Sequence, residues 1–380
     1  MQYILIPLLF LIASPAVAQS KSTDPIEVLT AADQAVGALK AFQYEGEAWS
    51  DGVMKNAVPP MKARILCQKG SAPHNAKIRI EIDDAGRKQL LICDGEKLFV
   101  QDRASGVYFS GNAADIERSD LYSLLFLAEL TMEQPFEAER KEAKSVYFET
   151  ARIDDQPTDV ILSRYKVGDE ARWYFDLKSH LPRKVVRQFR TPQSGVSTFH
   201  LKLSNFEENP EIPDNAFHAP EKPGRYKGLP VGWKVPDWTL RTPDGETVQL
   251  SKQRGRAVVL DFWAVWCAPC KKAMPGIQQI HKDFSDKPVD VYGISTWPRD
   301  TDPVAYMKDR GFTYGLLLDG DDVAEDYRVG GIPALYVIDG FGRVAFVGYG
   351  AGHDDNIRTA VEDSLHRSTP VPTDQSPGSK

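Results

Sequence analysis

No stretch of this chain gathers lysine and arginine densely enough to meet a phosphate backbone, and its formal net charge is −7. A nucleic-acid partner would favour a basic face, so that class of function is set aside. There are no internal repeats, and beyond the N-terminus no segment could span a bilayer, which takes ~20 apolar residues. Cysteine is scarce, four in 380 residues. There is no second Cys-x-x-Cys and no paired histidine, so a zinc site lacks half its ligands. Lys271 stands where haem attachment needs a histidine after the second cysteine of Cys267-Ala268-Pro269-Cys270. A copper site would have to recruit His281 or His353 from far along the chain. The reading is therefore of a protein with no metal and no cofactor.

Charge is also missing from the first eighteen residues. An apolar run from Ile4 to Ile12 leads to Ala16-Val17-Ala18, then to polar Gln19-Ser20-Lys21. An apolar core followed by an A-x-A site reads as a secretory signal peptide over residues 1–18, although the basic leader is absent. No cysteine closely follows the run, which excludes lipoprotein attachment there. Export, to the periplasm or beyond, places all four cysteines in an oxidising compartment.

What remains is ordinary globular composition, 42% hydrophobic and 26% charged, in a chain long enough for two cores. Asp24-Pro25 has the form of a helix start, and Ile26, Leu29, Val36 and Leu39 follow at helical spacing. From Phe42 to about Ser110 the pattern becomes short alternating segments separated by turns such as Asp84-Ala85-Gly86 and Asp94-Gly95, which fit antiparallel strands. A very apolar helix is expected over Leu121–Leu130, and five more strands between Ser145 and Phe206. Residues 220–234 are rich in proline and glycine and read as a linker; residues 368–380 read as a disordered tail. Between them, residues 235–367 alternate strands and helices, with Ala257–Trp263 a nearly continuous apolar run suited to a buried central strand.

The first half, residues 19–219, resembles the lipoprotein-carrier (LolA/LolB-like) fold, an α+β arrangement of a curved antiparallel sheet with helices in its concavity. The resemblance is carried by Cys93-Asp94-Gly95-Glu96-Lys97-Leu98, by Tyr174-Phe175-Asp176 running to Leu181-Pro182-Arg183-Lys184, and by Asn215-Ala216-Phe217 before Pro220. It implies either a concavity plugged by the Leu121–Leu130 helix, hence a scaffold, or a residual apolar pocket for a lipid or apolar peptide.

Cys267-Ala268-Pro269-Cys270 follows a buried strand and opens a helix. Free amides and the positive end of the helix dipole stabilise a thiolate at Cys267, and Cys270 lies one turn on, close enough to close a disulfide. Asp261 through Pro275 resembles thioredoxin and its exported TlpA/ResA-type relatives, an α/β fold. So do Val235-Pro236-Asp237-Trp238-Thr239-Leu240 with Pro243-Asp244-Gly245, Gly331-Ile332-Pro333, and Val337-Ile338-Asp339-Gly340 with Gly342. The resemblance implies a thiol–disulfide oxidoreductase in which Cys267 attacks and Cys270 resolves. It also implies a cis Pro333, an Ile332 backbone that pairs with substrate, and Asp261 as proton acceptor for Cys270. Trp266 would cover the sulfurs and, with Ala268, Pro269 and Ile332, face the substrate. A redoxin-type peroxidase would need a lone Thr-x-x-Cys nucleophile, which this junction lacks. Exported relatives commonly carry a glutamate where Ala273 stands, which loosens any link to cytochrome maturation. The implied partners are disulfide-containing exported proteins and a membrane or periplasmic thiol donor; oxidase or isomerase chemistry remains the rival. Cys67 and Cys93, on nearby strands, are candidates for a structural disulfide, or are two buried small hydrophobes.

Overall fold

The computed structural model describes residues 24–52, 55, 60–72, 75–84, 87–143, 145–165, 168–191 and 195–368. The signal segment and residues 369–380 lie outside the described residues; Ser368, read as the start of the tail, ends the last helix.

Asp24 opens α1 (Pro25–Ala38): its carboxylate accepts from the Ile26 amide at 2.9 Å, and Pro25 sits at the first helical position. The helix buries Val28, Leu29, Ala32 and Val36. Strands β1 (Ala41–Gly52), β2 (Met61–Gln68), β3 (Lys77–Asp84), β4 (Arg87–Cys93), β5 (Lys97–Asp102) and β6 (Val107–Asn112) form a meander. Short helices α2 (Asp120–Leu125) and α3 (Glu137–Lys141) precede a second meander of β7 (Ser145–Ile153), β8 (Gln156–Arg164), β9 (Glu170–Asp176), β10 (Pro182–Thr191) and β11 (Gly195–Glu208). Antiparallel pairing of β1 with β11, from Phe42↔Glu208 to Gly52↔Ser197, joins the two into one sheet. Alternation selects its faces: β2 buries Met61, Ala63, Ile65 and Cys67 and exposes Lys62, Arg64 and Gln68.

Two expectations for this half are corrected. The apolar stretch Leu121–Leu130 is not one helix: α2 ends at Leu125, Phe126 is extended, and a separate 3-10 turn covers Ala128–Thr131. The cause is Tyr44, whose hydroxyl accepts from the Leu127 amide at 3.0 Å and donates to the Leu125 carbonyl at 2.8 Å. It satisfies the backbone groups that the break frees, while Leu121, Leu125, Phe126, Leu127 and Leu130 stay buried. Cys67 and Cys93 are both free and buried. Each pairs with Ile78, one from either side, so a whole strand separates them. Two strand spacings amount to about 9–10 Å, beyond disulfide reach.

After β12 (Tyr226–Lys227) and a small hairpin of β13 (Thr239–Arg241) and β14 (Thr247–Gln249), a five-stranded sheet forms. Its elements are β15 (Ala257–Trp263), α4 (Ala268–Asp283), β16 (Val289–Ser295), α5 (Pro303–Arg310), β17 (Gly315–Leu317), α6 (Asp321–Asp326), β18 (Ala334–Ile338), β19 (Val344–Tyr349) and α7 (Asp354–Ser368). The strand order is β17-β16-β15-β18-β19; β15, β16 and β17 run parallel, β18 pairs antiparallel with β15, and β19 pairs antiparallel with β18. This is a thioredoxin-like α/β arrangement, and β15 at its centre is buried at every position.

The segment that composition marks as a linker is a packed strap. Leu229 and Trp233 are fully covered. β12 pairs in parallel with β6, Trp233 bridges to Ser119, and Lys234 bridges to Arg343, just before β19. The Gly232 amide donates to Val344 O at 2.8 Å and the Val344 amide to Trp233 O at 2.9 Å. Proline and glycine turn this segment sharply, but its apolar side chains join the two cores into one.

Removing the Tyr44 hydroxyl leaves a buried N–H and C=O without their partner. Tyr44→Phe is expected to lower stability by about 1–3 kcal/mol in urea denaturation. Alkylation of the unfolded, unreduced protein is expected to label two cysteines, Cys67 and Cys93; protection of that pair would contradict the free thiols.

Candidate active site

β15 delivers the chain through Ala264-Val265-Trp266 to Cys267, the N-cap of α4. Proline near the first turn and a sulfur at the cap set the helix start: the Cys270 amide points at Cys267 Sγ from 3.2 Å. The two Sγ atoms lie at bonding distance, with Cα atoms 5.3 Å apart. Cys267 keeps 3% of its surface exposed and Cys270 none, while Ala268 and Pro269 between them face solvent. The Cys270 amide and the positive end of α4 favour negative charge on Cys267.

The Ile332–Pro333 peptide is cis, and the Ile332 carbonyl oxygen lies 3.7 Å from Cys267 Sγ. The loop is held from behind by the strap. The Gly330 amide donates to Lys227 O at 3.2 Å, the Tyr349 hydroxyl donates to the same oxygen at 2.7 Å, and the Gly350 amide donates to Pro333 O at 3.0 Å. Trp266 is 38% exposed; its indole N–H donates to Trp297 O at 2.7 Å, and the Arg299 guanidinium lies 3.9 Å above its ring. Trp266 is thus fixed by the loop after β16.

Asp261 is fully buried in the middle of β15, between Gly293 and Leu335 on the neighbouring strands. Alternation puts it on the same face as Ala257, Val259 and Trp263, whose cluster contains Cys267, Cys270 and Met274. Burial alone pushes its carboxyl up to about 7, with no charged side chain to offset it. Ala273 is buried on α4. Cys67 and Cys93 belong to the other sheet and take no part in this cluster.

The structure therefore brings Cys267, Cys270, Ile332 and Pro333 together beyond the end of β15, with Asp261 further back on the same face of that strand and Trp266, Ala268 and Pro269 on the solvent side. Reading the sequence missed Lys227 and Tyr349, which support the cis-proline loop, and Trp297 and Arg299, which hold Trp266. No local signal marks Lys227, because it acts through its backbone; the exposed Trp297-Pro298-Arg299 run was visible but had no motif to attach to.

A carboxyl group whose value rises on folding lends its stability at low pH and loses it as pH climbs from about 4 through 7. Asp261→Asn is therefore expected to be more stable than the parent above pH 7, by up to about 4 kcal/mol for a shift of roughly three units. The difference should shrink steadily toward pH 4 in denaturant titrations, and a pH-independent difference would show that Asp261 is not desolvated.

Comparison with known proteins completes the picture. Residues 231–347 match the AhpC/TSA family and residues 26–226 match the family described as Predicted periplasmic protein (DUF2092). The lipoprotein-carrier likeness of the first half remains a resemblance only. The thioredoxin-like protein YneN of Bacillus subtilis is 32% identical over 114 residues, 30% of this chain and 67% of its own length. The thiol-disulfide oxidoreductase ResA of the same organism is 30% identical over 122 residues, 32% of this chain and 68% of its own. ResA of Geobacillus thermodenitrificans is 27% identical over 133 residues, covering 35% and 76%. The chain belongs to the DUF2092 family of predicted periplasmic proteins through its first half and, through its thioredoxin-like second half, to the ResA-type thiol-disulfide oxidoreductases.

Proposed function

We propose that this oxidoreductase is exported, starts at Gln19 after signal cleavage, and reduces disulfides of other exported proteins through Cys267 and Cys270. The observation that carries the reading is the placement of two paired sulfurs at a helix start beside a cis-proline loop, packed on the face of β15 that also carries the buried Asp261. The Cys267 thiolate attacks one substrate sulfur; the substrate S–S bond breaks, its departing sulfur takes up a proton, and a mixed disulfide forms. Cys270 then gives its thiol proton to the Asp261 carboxylate and attacks Cys267 Sγ. The second substrate sulfur leaves as a thiolate, and the Cys267–Cys270 disulfide closes. Two electrons have passed to the substrate, and a membrane or periplasmic thiol donor returns them by the reverse exchange. Ala268, Pro269, Trp266 and the Ile332 backbone form the face against which a substrate strand would lie.

Burial favours reduction over oxidation. A strong oxidant stabilises its reduced form as a thiolate; here Cys270 is wholly buried on an apolar face that also carries Asp261, which opposes a second negative charge.

For the first half, scaffold is favoured over lipid carrier. α2 and the turn after it fill the sheet's apolar face. An apolar hollow of about 250 Å³ beside Trp49, Phe126, Phe189 and Phe199 falls below the ~300 Å³ of ordinary ligand pockets, and a larger one of about 410 Å³ is lined by Glu45, Glu47, Lys62, Arg64, Glu81 and Asp83, charges unsuited to an acyl chain. The cations of the smaller hollow are engaged, Arg343 by Asp120 at 2.8 Å and Arg187 by Glu129.

Trapping tests the roles. Cys270→Ser is expected to accumulate mixed disulfides with substrate and Cys267→Ser none; equal trapping would refute the assignment. Asp261→Asn is expected to slow turnover about a hundredfold, the low end of general-base contributions. If its rate matches the parent, Asp261 is structural only.

A further inference from the structure

Of the seven tryptophans, Trp266 and Trp297 are the two that stand exposed. The hydrogen bond from the Trp266 indole to Trp297 O ties them together next to Cys267. The loop that carries Trp297 has an uncommon backbone: Trp297 and Arg299 both lie in the left-handed region, at φ 47° and 46°. A bulky side chain rarely adopts that conformation, and it persists where its surroundings over-determine it. Here Asp321 Oδ1 accepts from the Trp297 amide at 2.7 Å and from the Thr296 hydroxyl at 3.2 Å, and the Thr296 amide donates to Trp263 O at 3.0 Å. The loop so held carries the Arg299 guanidinium to 3.9 Å from the Trp266 ring centre.

That guanidinium is exposed and makes no hydrogen bond or ion pair among the described residues. The acids nearest in the chain leave it open. Asp302 caps α5 through the Val304 and Ala305 amides, Asp321 is occupied by the loop, and Asp300 forms no ion pair with Arg299. Two more cations without an ion pair among the described residues, Lys271 on α4 and Arg310 on α5, lie over Tyr306 at 5.2 Å and 4.8 Å. An arginine stacked on an aromatic ring keeps its N–H fork free, and a carboxylate can accept two parallel bonds from that fork. We infer that Arg299 is a specificity-determining residue: held over Trp266 beside the attacking sulfur, it selects disulfides whose cysteine is flanked by aspartate or glutamate. The inference rests on the reductase reading proposed above. A substrate strand lying against Trp266 has to pass this guanidinium, so a flanking carboxylate gains a partner there and a flanking lysine meets a like charge.

The test uses the full chain, reduced beforehand, in single-turnover reduction of three peptides. Each peptide holds one disulfide, and they differ only in whether aspartate, serine or lysine flanks one cysteine. Each rate is divided by that with dithiothreitol, which removes the peptide's own reactivity. The parent is expected to favour the aspartate peptide over the lysine peptide by about fivefold at low salt, falling toward one in ~1 M salt. Arg299→Gln is expected to bring that ratio close to one and Arg299→Glu to invert it. Lys308→Gln, which removes the same charge from the last turn of α5, is expected to keep the parent's ratio. Equal normalised rates for the three peptides in the parent overturn the inference and leave the reductase reading standing. A ratio that falls as far in Lys308→Gln as in Arg299→Gln assigns the preference to overall charge and also overturns it. Failure of the parent to reduce any of the three overturns the reductase reading and the inference with it.

Discussion

Everything in this molecule is arranged around a strand that water never reaches. β15 is buried at each of its positions, and its two faces belong to different cores. Val258, Leu260 and Phe262 face a core that runs through Trp233 and Leu229 into the twelve-stranded sheet. Ala257, Val259 and Trp263 face the cluster that contains both redox sulfurs. Asp261 is the one ionisable residue in that strand, and full burial is what lifts its carboxyl toward neutrality. A carboxyl of this kind weakens the fold at alkaline pH and at the same time becomes a base poised for work near pH 7.

The second consequence is mechanical. The strap that crosses from one sheet to the other also holds the cis-proline loop, through Lys227, Gly330 and Tyr349. Tyr226 stacks on Tyr349 at 4.4 Å, and the Leu229 amide donates to the Tyr336 hydroxyl. One wall of the reactive groove is therefore anchored to the first half of the chain. That gives the first half of the chain a physical connection to the thiol site.

Much of the second half was legible before any coordinates. Ala257–Trp263 and Ala334–Ile338 are short apolar runs buried at every position, so composition alone marks their ends, and each strand occupies that span. The sulfurs sat at a strand–helix junction that needs no distant information. What stayed hidden depends on distant partners. The break after Leu125 is made by a hydroxyl 81 residues earlier. The free state of Cys67 and Cys93 is decided by a register that puts Ile78 between them. The strap is rich in turn-forming residues, and composition records turning, not burial.

The most direct test of the account is the redox equilibrium of the Cys267–Cys270 pair against glutathione, followed by mass after acid quenching. A buried resolving cysteine above a desolvated carboxyl predicts a potential well below the glutathione couple. A value above about −150 mV, in the range of dedicated oxidants, would contradict it.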